Sequence, residues 1–172
     1  ILFVGNDGNR DFDTLVKIVN SNREINFIVV SKQLSLDDFE YNNIILHSGD
    51  WFNQAITDSE LKNLYKSAKF TIIPLKDSLQ PSGQSVCLQS MSVGTPVIIT
   101  KTNGFWDPSR FVANENIIFL KSNNIEDWNR FIKDLYFNNQ VLEKISKNSQ
   151  QTIKDFYDEK LFIEKLKKIV FK

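Results

Sequence analysis

Residues 70–100 read FTIIPLKDSLQPSGQSVCLQSMSVGTPVIIT: two uninterrupted apolar runs, separated by a turn-rich stretch and a segment of helical length. Phe70–Leu75 and Val97–Thr100 do not alternate apolar with polar residues, so each reads as a strand buried on both faces, as in a parallel sheet. Working outward, Ile1–Val4, Ile25–Ser31, Ile44–Ser48 and Ile117–Leu120 are runs of the same kind. Amphipathic segments lie between them. Within Asp11–Asn20, Phe12, Leu15, Val16 and Val19 share one helical face. Thr57 offers a T-x-x-E capping box with Glu60, ahead of the stripe Leu61, Leu64, Tyr65 and Ala68. This alternation predicts a doubly wound, Rossmann-like α/β domain: a parallel sheet of about six strands with helices on both faces. From Asn124 the pattern is helical only, over Ile125–Asn138, Gln140–Phe156 and 158–172.

Composition bounds the rest. The 172 residues suffice for a single domain with a sizeable core. Lys and Arg number 21, as do Asp and Glu, and the zero net charge argues against bulk nucleic acid or an anionic membrane face as partner. One cysteine, Cys87, excludes an internal disulfide and fits a reducing, cytoplasmic setting. No apolar run approaches the ~20 residues of a membrane helix. The chain opens on a core strand, ILFVG, without Met, so it is expected to be a fragment whose N-terminal partner domain is missing. The last helix should then pack at the sheet edge or reach toward that partner.

In such a sheet, ligands bind outside the carboxyl ends of the strands, which singles out the loops 5–11, 47–57, 76–85 and 101–108. In the third loop Pro81 and Gly83 shape a turn into a helix that begins near Val86. Ser82, Gly83, Gln84 and Ser85 would then present backbone N–H groups at the positive end of that helix, a seat for a phosphate or diphosphate. The plainer alternative is an ordinary N-cap supplied by Ser82 or Ser85.

The segment 70–104 also resembles a known pattern. LQSMSVGTPVIIT (88–100) stands where one family has leucine, glutamate, a small residue, Met, a small residue, any residue, Gly, any residue, Pro, Val and Ile. ILFVG (1–5), DFDTL (11–15) and SELKNLYKSAKFTIIPL (59–75) extend the likeness over roughly the whole chain. The pattern resembles the C-terminal, donor-binding half of a GT-B fold, the retaining glycosyl transferases group 1 kind. The resemblance implies a metal-independent hexosyl transfer from a nucleotide-diphosphate sugar, with no other cofactor. The acceptor would be a polysaccharide, a lipid-linked glycan or another glycoconjugate, held by the missing N-terminal domain. The full-length protein would be cytoplasmic or peripheral at the membrane.

Carried over by position, the resemblance puts Arg10 and 82–85 on the donor diphosphate and Gln89 on its ribose. Two glutamates of the family fall on Pro81 and Gln89. Gln89 can still hydrogen-bond a ribose, whereas Pro81 replaces nothing, leaving Gln80 or Gln84 to act near the sugar. Asn6 stands near the family's arginine and Arg10 near its lysine. Thr102, Asn103 and Gly104 match the loop lining the donor cleft, or are simply a turn. His47, ending a strand, could meet the base or sugar, or be structural; Trp51 and Phe52 could stack on a base, or pack. Asp107 and Glu115 lack metal-ligand spacing, and Cys87 has no base at readable spacing. GNDG (5–8) is not the dinucleotide fingerprint G-x-G-x-x-G. No catalytic residue is assigned. The loss of a glutamate at 81 keeps a second reading open, a non-catalytic, degenerate glycosyltransferase-like module used for interaction.

Overall fold

The computed structural model describes residues 1–171. Six strands form one parallel sheet: β1 (Leu2–Val4), β2 (Phe27–Val30), β3 (Ile44–His47), β4 (Thr71–Ile73), β5 (Val97–Thr100) and β6 (Ile118–Leu120), in the order β3-β2-β1-β4-β5-β6. Every pairing is parallel, with Phe3 opposite Val29, Ile72 opposite Ile98, and Ile99 opposite Phe119. The order reverses between β1 and β4, so the loops that leave these two strands diverge and open a crevice.

Helices α1 (Phe12–Ser21) and α4 (Ile125–Tyr136) cover one face, where Leu15, Ile18, Trp128 and Ile132 pack on Phe3, Phe27 and Ile72. Helices α2 (Asp58–Ser67) and α3 (Gln84–Ser92) cover the other, where Tyr65, Cys87 and Met91 meet Leu2, Ile73 and Ile99. Each fully buried aliphatic side chain contributes about 1.5–3 kcal/mol, and the two faces share these contacts through strands only one residue thick. Of the two edge strands, β3 is the exception: Ile45 is 58% exposed, so β3 is not buried on both faces. It has one sheet neighbour and no helix seated over that side chain.

Capping follows the sequence closely. Thr57 accepts the Glu60 N–H while Glu60 accepts from the Thr57 N–H at 2.8 Å, completing the box at α2. Asp11 lies just outside α1 as its cap, accepting from the Thr14 N–H at 3.0 Å. A 3₁₀ turn at Leu36–Asp38, unread in the sequence, links β2 to β3. After α4 come α5 (Asn139–Phe156) and α6 (Glu159–Val170). None of α6 is buried, so it does not pack at the sheet edge; Phe162, Ile169 and Phe171 stand 65%, 73% and 82% exposed. Its expected last residue, Lys172, lies outside the described residues. No helix among the described residues is long and apolar enough to cross a membrane.

Candidate functional site

The loops leaving β1 and β4 are stitched together by backbone. Asp11 N–H donates to Pro74 O at 3.0 Å, Lys76 N–H to Asn9 O at 2.9 Å, and Arg10 bridges Leu75 in antiparallel sense. This pairing turns Arg10 inward. Its side chain lies back over the strand ends, only 3% exposed, because residue 5 is glycine: a Cβ there would sit 2.3 Å from Arg10 Nε. Arg10 is thereby buried rather than left solvated.

Arg10 Nη1 donates to Ser82 Oγ at 2.6 Å and stands 3.1 Å from Asp7 Oδ2, while the Ser82 hydroxyl donates to Asp7 Oδ1 at 2.9 Å. Arg10 Nε is buried with no hydrogen-bond partner. Burial lowers the Arg10 pKa, against the opposing pull of Asp7 and Tyr65. The guanidinium is therefore a positive charge whose surroundings satisfy it only in part.

Facing it is the start of α3. Gly83, not Ser82 or Ser85, is the N-cap; it sits in the left-handed region at φ 79° and supplies no capping side chain. That corrects the plainer capping alternative. The other five helices each have an Asp, Thr or Asn cap whose oxygen takes a first-turn N–H. At α3 the first-turn amides, Gln84, Ser85 and Val86, have no intrahelical acceptor and no cap oxygen. They point positive dipole ends toward Arg10 and the crevice.

Two hollows that share Asp7, Arg10 and Ser85 in their walls flank this pair. One, of about 400 Å³, is lined by Arg10, Asn6, Trp51, Asp58, Ser85 and Gln89, among others. The second, about 300 Å³, holds Arg10 with Gln80 and Ser82–Ser85. The structure thus gathers Arg10, Asn6, Gln80, Ser82, Gly83, Gln84, Ser85 and Gln89 around one cleft. Ser85 and Gln89, one turn apart on α3, share its wall.

Several residues are placed elsewhere or differently. His47 lines neither hollow. Thr102 and Asn103 line a separate cleft of about 550 Å³ beyond the 76–80 loop, with Lys76, Lys101 and Lys121. Asn103 there holds Asp77 at 3.2 Å, and Gly104 N–H donates to Ser78 O at 2.9 Å, bracing that loop. Asn6 spans two loops, its oxygen accepting from the Lys32 N–H at 2.8 Å and its amide donating to Gly49 O at 2.6 Å. Cys87 is fully buried against Met91, and burial pushes its thiol pKa up.

Two participants were not read from the sequence. Asp7 lay inside a turn-forming cluster, and Tyr65 on a helical stripe. The Tyr65 hydroxyl reaches Gln89 Oε1 at 3.3 Å, so a buried phenol orients the amide at the cleft wall. Among the described residues no group of three His, Cys, Asp or Glu side chains gathers to hold a metal.

The pattern of the family described as Glycosyl transferases group 1 matches residues 9–152. No curated protein matches the sequence. Solved structures show the same fold. The C-terminal domain of a glycosyl transferase group 1 family protein from Francisella tularensis superposes with a TM-score of 0.69 at 15% identity, over 92% of this chain and 86% of that one. A glycosyltransferase from Rickettsia africae gives 0.76 at 17% identity, over 98% of this chain and 46% of its own length. Anabaena HepE, in complex with UDP-glucose, gives 0.70 at 13% identity, over 96% and 48%. The chain thus spans about half the length of the last two. It has the fold of one half of a GT-B glycosyltransferase, and it belongs to the Glycosyl transferases group 1 family.

Proposed function

We propose that this chain is the donor-binding half of a glycosyltransferase and takes a nucleotide-diphosphate sugar in the Arg10–α3 cleft. One observation carries the reading: a buried, incompletely partnered guanidinium faces the only α-helix start among the described residues that lacks a capping side chain. A diphosphate placed there accepts from the Gln84, Ser85 and Val86 amides and from Arg10, in line with how helix N-termini hold phosphates. The sugar side extends toward Gln80 and Gln84, and the nucleoside toward Gln89, with Trp51 at the far wall.

Transfer breaks the bond between the anomeric carbon and the diphosphate and forms one from that carbon to an acceptor hydroxyl oxygen, which gives up its proton. The electron pair stays on the leaving phosphate oxygen, so negative charge grows there in the transition state. Arg10 and the α3 amides stabilise that charge more than the ground state, which is what accelerates the step. Retention at the anomeric centre, a hexosyl group and a glycan acceptor held by a further domain belong to the same proposal. The proposed roles use no metal.

Pro81 favours a second reading, a non-catalytic module, because it puts no carboxylate beside the sugar. A saturation-transfer NMR screen of the chain against UDP, GDP, ADP and CMP tests both. The donor reading expects a nucleoside diphosphate to receive magnetisation and CMP to receive less; silence with all four removes it in favour of the module.

A further inference from the structure

We infer that Asp7 is a built-in stand-in for the ligand's phosphate, and thereby a residue that selects ligands by charge; the inference rests on the donor reading for the class of ligand. The carboxylate sits where two phosphate oxygens would be expected. Its Oδ2 stands 3.1 Å from Arg10 Nη1, and its Oδ1 accepts from the Ser82 hydroxyl at 2.9 Å. Arg10 Nη1 closes the ring by donating to Ser82 Oγ at 2.6 Å. The cleft therefore carries one negative charge of the protein's own, on the cation and the hydroxyl that a phosphate would use.

The two partners differ in freedom. The Arg10 side chain is 3% exposed and that of Asp7 49%. Gly5 lets the arginine lie flat, and a Cβ at Gly83 would come within 3.5 Å of its Nη1, so the guanidinium is walled in. Asp7 reaches it from the rim of both hollows. When the pair separates, water can solvate the carboxylate but not the arginine, so Asp7 is the member that moves.

Selection follows from this competition. A neutral nucleoside offers nothing to replace Asp7 on Arg10, and a lone monoanion merely exchanges one charge for another. A diphosphate brings more charge and also reaches the α3 amides, which Asp7 leaves without an acceptor. Asp7 thus raises the threshold for entry and prevents Arg10 from standing as a bare buried charge between turnovers.

The test is a calorimetric comparison of the wild-type chain with Asp7→Asn, using inorganic pyrophosphate, UDP and uridine as probes. Asparagine keeps the side-chain oxygen that accepts from the Asn9 N–H, at 3.1 Å, so the turn survives while the charge is removed. The expected result is a gain of about tenfold for pyrophosphate and UDP, equivalent to about 1.4 kcal/mol, with uridine unchanged. If UDP binds the wild type and Asp7→Asn binds it equally or more weakly, Asp7 is a brace for Arg10; the inference falls and the donor reading stands. A gain for pyrophosphate without nucleotide binding by either protein supports Asp7 and removes the nucleoside part of the donor reading. No binding of any probe overturns both. Should Asp7→Asn fail to fold, the wild type decides: saturating pyrophosphate must shift the Asn9 amide resonance as its acceptor leaves, and an unmoved resonance overturns the inference.

Discussion

Arg10 is buried with one nitrogen unpartnered, a state that proteins tolerate when something else is gained. Here the gain is a fixed cation at a strand end, and it predicts how substitution behaves. Arg10→Ala should weaken nucleoside diphosphate binding by roughly 1.5–3 kcal/mol, the scale of a hydrogen bond to a charged group. The free nucleoside should lose little, so titrating both separates a phosphate contact from general damage. Gln89 makes a softer contact. Gln89→Leu should cost a ribonucleotide about 0.5–1.5 kcal/mol and its 2′,3′-dideoxy analogue less; equal losses would remove the ribose assignment. The turn into a helix at Ser82–Ser85 was legible because helix starts are local signals, whereas Arg10 and Gln89 were singled out only by the resemblance. Asp7 was not legible, since its role depends on Ser82, 75 residues away. Nor did spacing reveal that Thr102 and Asn103 line a different cleft: the 76–80 loop intervenes only in three dimensions.

Elements were read more fully than residues. Six strands and the Thr57–Glu60 box follow from apolar runs and capping chemistry, which act within a few residues. What escaped was how much cover each element receives: β3 and α6 carry ordinary apolar patterns yet stand partly or wholly exposed. The α3 start rests on Gly83, where φ 79° disfavours any side chain and a Cβ would lie 3.1 Å from Ile73 Cγ2. Gly83→Val should destabilise the fold by about 1–3 kcal/mol and weaken pyrophosphate as well as nucleotide binding; unchanged calorimetry and melting would reduce the turn to a tolerant cap. A second anchor joins the 101–117 loop to the end of α5, where the Tyr157 hydroxyl donates to Asp107 Oδ2 at 2.6 Å. That bond, with help from Ser109 and against a smaller effect of burial, holds the Asp107 carboxyl below its ordinary value. A depressed carboxylate stabilises the fold above its unfolded pKa, ~3.9, and the contribution is lost as pH falls through the folded value. Losing one such hydrogen bond, Tyr157→Phe should cost about 1 kcal/mol at pH 7, with the gap from wild type narrowing as pH falls below the unfolded value in paired thermal melts. A constant gap would show that the bond does not carry this linkage.

At the scale of the molecule, the sheet order explains why one crevice was the place to look. Only between β1 and β4 do neighbouring strands send their chains in opposite directions, and Arg10 and the α3 start both belong to that gap. The doubly wound class was readable because continuous apolar strands alternate with helices along the whole chain. The division of the carboxyl edge into two clefts was not, since it depends on how the loops fold over each other. The central claim, that the α3 amides and Arg10 form a diphosphate seat, is tested most directly by amide NMR on the isotope-labelled chain during titration with UDP, GDP and ADP in turn. At least one should move the resonances of Gly83, Gln84, Ser85 and Val86 together with the Arg10 side-chain Nε, leaving Thr102–Gly104 and Lys121–Asn123 in place. Shifts centred on those latter residues, or none with any of the three nucleotides, would contradict it.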